Sequence, residues 1–299
     1  MADAPILVGT AEGLHRVGDG AAVELAGRAV SALARSPRGW LAVVDGNEVW
    51  REDDEHGWQQ VAALDGPRAA CLVAAGDDVL VGTAEAHLVR VGSEGATLVT
   101  GFDAAHGREA WYTPWGGPPD TRSLAVDDAG TIYANVHVGG IPRSTDGGET
   151  WDPTIDVDTD VHQVVAAGAR LLAPSAYGLA ESADGGQTWE LVTDGLHATY
   201  LRAVAVAGED VLVSASTGPG GSRSAVYLWP GGAGAFERCR AGLPEWLAGN
   251  VDTGWLVAAG ESAAFATAEG TVYGSGDAGR SWDVVATGLP RVRSLALAE

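Results

Sequence analysis

The sequence predicts an all-β fold: a seven-bladed propeller of four-stranded antiparallel blades, closed by the C-terminal strand joining the N-terminal blade. Three observations lead there. One eight-residue turn phrase recurs along the chain. Seven short apolar strands of one style are spaced through it. The two ends each supply part of a blade that the other lacks.

Composition sets the bounds. At 299 residues the chain could hold two domains, but all-β folds of this size are often one, and a single propeller domain over 1–299 is expected. The apolar fraction of 46% leaves ample material for a core, and 43 glycines are about twice average usage. Glycine at that level without a collagen-like period means many tight turns between short strands. The 11 tryptophans, with many Val and Leu, argue against disorder.

The formal net charge is −22, and all 18 basic residues are Arg. Such a chain repels phosphate backbones and anionic lipid, so neither nucleic acid nor a membrane surface is an expected partner. Cys71 and Cys239 are 168 positions apart, without the close spacing of a zinc or redox site, and read as buried free thiols of a reducing compartment. No run of 18 apolar residues exists to span a bilayer. The start of the chain enters Ile6-Leu7-Val8 without the basic and apolar regions of a signal peptide, so a cytoplasmic location is expected. The seven His are scattered, and neither metal nor cofactor is expected.

The turn phrase occurs cleanly as Ser144-Thr-Asp-Gly-Gly-Glu-Thr-Trp151, Ser182-Ala-Asp-Gly-Gly-Gln-Thr-Trp189 and Ser275-Gly-Asp-Ala-Gly-Arg-Ser-Trp282. Worn copies put Phe236 in the Trp position and keep Asp53 and Trp58 near the front, with Glu55 in place of Gly. The residue types have a physical reason. Asp146, Asp184 and Asp277 can accept hydrogen bonds from N–H groups two or more residues on. Gly148, Gly186 and Gly279 supply the positive φ that closes the hairpin. Each Trp then packs under its turn, removing roughly 150–250 Å² from water. These residues are staples, not catalysts.

The strands follow in order: Ala29–Leu33, Ala69–Val73, Arg122–Val126, His162–Val165, Arg202–Val206, Trp255–Val257 and Arg293–Leu297. All but the last lead through a Gly- or Asp-containing turn into a second apolar strand. Little alternation in either implies burial on both faces, as in stacked blades. Arg293–Leu297 has nothing after it, and Ile6–Thr10 is a second strand with nothing before it, so pairing the two removes exposed edges. Seven repeats give about 43 residues each, within the range of four-stranded blades; six or eight remain open on arithmetic alone.

The phrase Ser-x-Asp-x-Gly-x-x-Trp is the Asp box, and the chain resembles the bacterial-neuraminidase-repeat (sialidase-type) propellers. In repeat style it is similar to photosystem II assembly-factor-like propellers over nearly its whole length. That resemblance implies a non-catalytic scaffold with an arginine-rich binding surface. Sialidases imply an alternative, a glycoside hydrolase that clamps a carboxylate with three arginines. Arg122, Arg202 and Arg293 could imitate the clamp, Tyr177 or Tyr200 the nucleophile, and Glu85 or Glu269 the acid. The sialidase Phe-Arg-Ile-Pro segment is absent, and Ile141-Pro142-Arg143 has the wrong order, so no catalytic residue is assigned.

In a meander of four strands, the Asp boxes lie at one end of the blades and the long connections at the other. Phe102–Asp120 carries Trp111, Tyr112 and Trp115; Leu196–Leu201 carries His197 and Tyr200; Gly242–Thr253 carries Trp246. The inner-strand starts are expected at that same end, where Arg68, Arg122, His162, Arg202 and Arg293 would converge on a channel mouth as an anion site. The ordinary alternative is solvated strand starts paired with neighbouring acids, and for the aromatic loop a packed plug. The partner is therefore expected to be a protein or a small anionic or carbohydrate ligand, bound by a monomer.

Overall fold

A computed structural model describes residues 5–18, 20–53 and 55–298. The chain forms seven four-stranded antiparallel sheets, the blades of a β-propeller. From the inner strand outward, the first blade runs Val292–Leu297, Ile6–Thr10, Leu14–Val17 and Ala22–Glu24. The others follow in plain chain order, with inner strands Val30–Ser36, Ala69–Ala75, Thr121–Val126, Val165–Ala167, Tyr200–Ala207 and Leu256–Ala259. The expected closure is present: Leu7 pairs with Ala296 and Val8 with Leu295. The fourth expected strand is displaced. It begins at Val165, leaving His162 in the extended lead-in before it.

The chain divides into two compact units, one of residues 1–30, 174–179 and 191–299, the other of 31–173 and 180–190. In the first, apolar clusters join neighbouring blades through Leu212, Leu228, Phe265 and Trp282, and through Val8, Val272, Val292 and Leu295. In the second, comparable clusters centre on Leu41, Leu72 and Val81, on Leu88, Phe102, Ile132 and Trp151, and on Tyr133, Ile141 and Leu171. Second strands are the most buried elements, as in Ile6–Thr10, Ile132–Val136 and Asp210–Ser216, where every residue is buried. Inner strands alternate more than expected: Thr121, Ser123 and Ala125 are buried, while Arg122, Leu124 and Val126 are partly exposed.

Local chemistry explains the hairpins. Four inner strands turn into their partners through two-residue loops, Gly76-Asp77, Gly168-Ala169, Gly208-Glu209 and Gly260-Glu261. Each Gly holds positive φ, from 55° to 63°, and none of the second residues does. That is the type II′ pattern, whose twist matches the strands it joins.

The Ser-x-Asp-x-Gly-x-x-Trp turns are built as their residue types require. Asp146 Oδ1 accepts from the backbone N–H of Glu149 and Thr150 at 3.1 and 2.9 Å, and Asp146 Oδ2 accepts from the Thr150 hydroxyl at 2.6 Å. Ser144 Oγ takes the Gly148 N–H at 2.8 Å. Asp184 and Asp277 repeat the scheme. The worn copy keeps part of it, with Asp53 Oδ1 accepting from Glu55 and His56 N–H; Asp54, inside that copy, lies outside the described residues. Trp151 and Trp282 donate from Nε1 to Gly148 and Gly279 carbonyls at 3.1 and 2.8 Å. Trp189 is less buried, and its Nε1 is enclosed without a hydrogen bond.

Candidate functional site

The register of the inner strands carries a feature that letters do not reveal. In four blades the ladder slips by one residue near the strand start. Ala69 pairs with Thr83 and Cys71 with Gly82; Thr121 with Val136 and Ser123 with Asn135; Val292 with Thr10 and Ser294 with Gly9. In the fourth, Leu201 pairs with Ala215 and Val204 with Val213, leaving Arg202 and Ala203 opposite Ser214. The bulged positions are Ala70, Arg122, Arg202 and Arg293. A bulge leaves its residue outside the ladder and re-aims its side chain, so the same backbone device recurs at Arg122, Arg202 and Arg293. The same registers put these starts at the blade end opposite the Asp turns: Thr121 pairs with Val136, whereas Ser144, which opens a turn, pairs with Ile132.

At three of the four bulges the paired positions tie the blade to the next. The Cys71 thiol donates to the Thr121 carbonyl at 3.4 Å, Ser123 Oγ accepts from Val164 N–H at 2.8 Å, Asn135 Nδ2 donates to the Val161 carbonyl at 3.0 Å, and the Ser214 hydroxyl donates to the Val251 carbonyl at 3.0 Å. Burial pushes both thiols, Cys71 and Cys239, up to about 12.

The expected cationic residues divide between the units. Arg68, Arg122 and His162 belong to the unit of residues 31–173 and 180–190; Arg202 and Arg293 belong to the other. Arg202 is partly buried, with Nη1 3.2 Å from both carboxylate oxygens of Asp252 and its guanidinium 5.9 Å from the Tyr200 ring centre. That is the cross-blade pairing the ordinary reading anticipates. Arg68 is exposed and lies against Gly46, where a Cβ would strike its side chain. His162, only 1% exposed, has Nε2 3.7 Å from Asp160 Oδ2, and His137 Nε2 approaches Asp160 Oδ1 at 3.8 Å.

Asp160 and His137 were not singled out from sequence. Asp160 sits at φ 49°, ψ 61° after a single 3₁₀ turn, a left-handed conformation that Asp tolerates better than most residues. That preference is the only local signal for it. Among the described residues no group of three or more His, Cys, Asp or Glu is placed to hold a metal ion.

The loop 102–120 is pinned along its length. Phe102 meets Trp151 edge-on at 4.9 Å and Trp111 at 5.3 Å, and the Arg108 guanidinium lies 4.8 Å from the Trp111 ring centre while donating to the Ala86 carbonyl at 2.7 Å. Trp111 is thus spent on packing. Tyr112 and Trp115 are not. Tyr112 is 46% exposed with its hydroxyl 3.1 Å from Asp158, and Trp115 is 67% exposed with its ring 5.0 Å from His137.

The sequence Thr-Ala-Glu recurs after three second strands, ending at Glu12, Glu85 and Glu269, and has a structural reading. Its Thr10, Thr83 and Thr267 hydroxyls donate to the carbonyls of Gly13, His87 and Thr271, and Ser175 and Ser216 at the equivalent positions donate to Gly178 and Gly218, closing the turns after the second strands. The hydroxyl, not the following Glu12, Glu85 or Glu269, is what the turn uses. In the blade of Ile132–Val136 the hydroxyl is absent, and Val136 N–H bonds Gly140 instead, with Val138 at φ 53°.

No protein-family model matches the chain, and comparison with curated proteins finds no match. Solved structures match in fold. An ancestral GH74 enzyme aligns with a TM-score of 0.60 at 15% identity over 90% of this chain and 38% of that one. YCF48 from Cyanidioschyzon merolae gives 0.60 at 14% over 87% of each, and YCF48 bound to D1 peptide gives 0.56 at 14% over 85% of this chain and 81% of that one. At these identities the likeness is one of fold.

Proposed function

We propose that this chain is a non-catalytic binding or assembly scaffold of the Asp-box propeller type, which holds a protein partner at the blade end opposite the Asp boxes. The observation that carries it is the 102–120 loop: Trp115 and Tyr112 face solvent from a segment whose neighbours Phe102, Arg108 and Trp111 are packed down. A large aromatic held rigid and exposed loses little freedom on binding and is typical of interface anchors. The bulged Arg122, on the inner strand that follows this loop, adds a cation suited to acidic or carbonyl groups of a partner. A propeller fold that holds a peptide has a precedent in the YCF48 structure with bound D1 peptide.

The test is affinity capture with the whole protein, followed by quantitation of any stoichiometric partner against the Trp115→Ala, Tyr112→Ala double variant. Loss of the partner with unchanged thermal unfolding supports the reading. Turnover of fluorogenic glycosides (sialosides first) that disappears in Arg202→Ala would overturn it in favour of the glycosidase.

A further inference from the structure

The short turn after the second strand of the third blade, Asp78–Thr83, is strained. Glu85 and Ala86 both take positive φ, 63° and 52°, which residues other than glycine rarely do. Arg108 braces the turn by donating to the Ala86 carbonyl at 2.7 Å and to the Glu85 carbonyl at 3.4 Å. Strain of this kind clusters at sites that hold ligands. The side chain that the turn delivers is His87.

Register fixes where His87 points. Val89 pairs with both Val81 and Leu98, so these three side chains share one face of the sheet. Val81 and Val89 pack with Leu41, Val43 and Leu64, so that face looks toward the preceding blade. His87 is extended, at φ −107° and ψ 162°, two residues before Val89, and continues the same face.

A cleft of about 410 Å³ opens there, between the end of the outer strand Gly57–Ala63 and the third blade. Leu64, Pro67, Val89 and Leu98 give it an apolar wall, and His87 and Asp65 are the ionisable residues lining it. Every lining residue belongs to the unit of residues 31–173 and 180–190. The volume lies in the range of small-molecule sites, and mostly apolar walls with a few placed polar groups are their usual make-up. Leu98 is 50% exposed, apolar surface that an occupant would cover.

The polar group in this wall is prepared for one kind of partner. His87 Nδ1 lies 2.6 Å from Asp103 Oδ1. An ionised carboxylate only accepts, so Nδ1 donates, and the neutral ring then presents Nε2 as an acceptor. Arg108 Nη2 stands 3.7 Å from the same Asp103 oxygen, so one arginine steadies both the carboxylate and the turn. Among the described residues Nε2 has no partner. Asp65 and Asp103 make the surroundings unfavourable to an anion. What suits an open acceptor beside an apolar wall is a neutral molecule with a hydroxyl to donate.

We infer that this cleft binds a neutral, mostly apolar alcohol or phenol, its O–H donating to His87 Nε2 and its carbon skeleton covering Leu64, Val89 and Leu98. The inference goes beyond the scaffold reading and does not depend on it, since neither Tyr112 nor Trp115 lines the cleft. Titration calorimetry on the whole protein uses 2-naphthol and 2-methoxynaphthalene, similar in shape, of which only the first can donate. Saturable one-to-one binding of 2-naphthol, with the methoxy compound roughly tenfold weaker, supports the inference. His87→Leu should bring the two probes to within about twofold of each other, because the acceptor is gone. Leu98→Asp should weaken both by roughly tenfold or more, by placing a charge on the apolar wall. Leu98 is half exposed, so its variant tests the cleft even if His87→Leu unfolds. Leu191→Asp, an equally exposed leucine on another outer strand, should change neither probe. Absence of saturable 2-naphthol binding overturns the inference, as does equal binding of the two probes by the unaltered protein. A hydroxyl preference that survives His87→Leu, or binding indifferent to Leu98→Asp, overturns it too. None of these outcomes bears on capture of a partner by the 102–120 loop.

Discussion

Replacing Leu295 by Ala tests whether the last strand is part of the first blade or a tail laid against it. Leu295 is buried, pairs with Val8, and packs in the cluster with Ile6, Val272 and Val292. The change removes three carbons, about 2.5 kcal/mol of transfer free energy at ~0.8 kcal/mol each. A cavity term adds to this, because a ladder on one side and a neighbouring blade on the other limit collapse, giving about 3 kcal/mol in all. Against a total of roughly 5–15 kcal/mol that is a large fraction. For a chain of this size, with an unfolding entropy of about 2.1 cal/mol/K per residue, it should lower Tm by roughly 5 °C. The assay is thermal and urea unfolding followed by circular dichroism, with Leu98→Ala as control. Leu98 lies half exposed on an outer strand and should shift stability by less than about 0.5 kcal/mol. A Leu295→Ala protein that unfolds within about 1 °C of the parent would refute closure through this strand.

The two tryptophan environments should separate in Phe substitutions. Trp151→Phe loses the bond to Gly148 and should cost about 1–2 kcal/mol, whereas Trp189→Phe removes an enclosed, unbonded N–H and should be neutral or stabilising in urea unfolding. Asp146 and Asp184 are held at about 2, well below their ordinary 3.8, chiefly by the Thr150 and Thr188 hydroxyls and N–H groups. A carboxylate whose folded pKa is depressed stabilises above the unfolded value and loses that contribution as pH falls through the folded one. Stability should therefore drop between about pH 4 and pH 2, and Asp146→Asn with Asp184→Asn should be less stable at pH 7 and show a flatter drop. With their pKa pushed up to about 12 and both side chains buried, Cys71 and Cys239 should resist a disulfide thiol reagent at pH 8 until the protein unfolds. Rapid labelling of the native protein would contradict that burial.

Most of the architecture was legible because it is local and repeated. The Ser-x-Asp-x-Gly-x-x-Trp phrase specifies a turn from hydrogen bonds spanning only four residues, and Gly76, Gly168, Gly208 and Gly260 mark hairpins by what their φ allows. Even closure could be read, since an inner strand with no successor and a second strand with no predecessor complete one sheet. The displacement of His162 could not, because His162-Gln163-Val164-Val165 has the same polar start followed by valines as the other inner strands, and only the pairing of Val165 with Leu172 shows where the ladder starts.

The candidate sites depended on tertiary structure for the same physical reason. A bulge is a mismatch between two strands, so the placing of Arg122, Arg202 and Arg293 outside the ladder is a property of pairing rather than of either segment. Trp111 and Trp115 lie in one short loop and look alike as letters, but contacts with Phe102 and Arg108 hold the first half-buried, while the second is 67% exposed. Arg202 and Asp252 are 50 positions apart in the chain and pair only because adjacent blades bring them together. By itself the sequence determined which turns and strands form, since those energies are short-ranged. Which side chains share a cleft was decided by packing, because electrostatic and stacking contacts act through space and not along the chain.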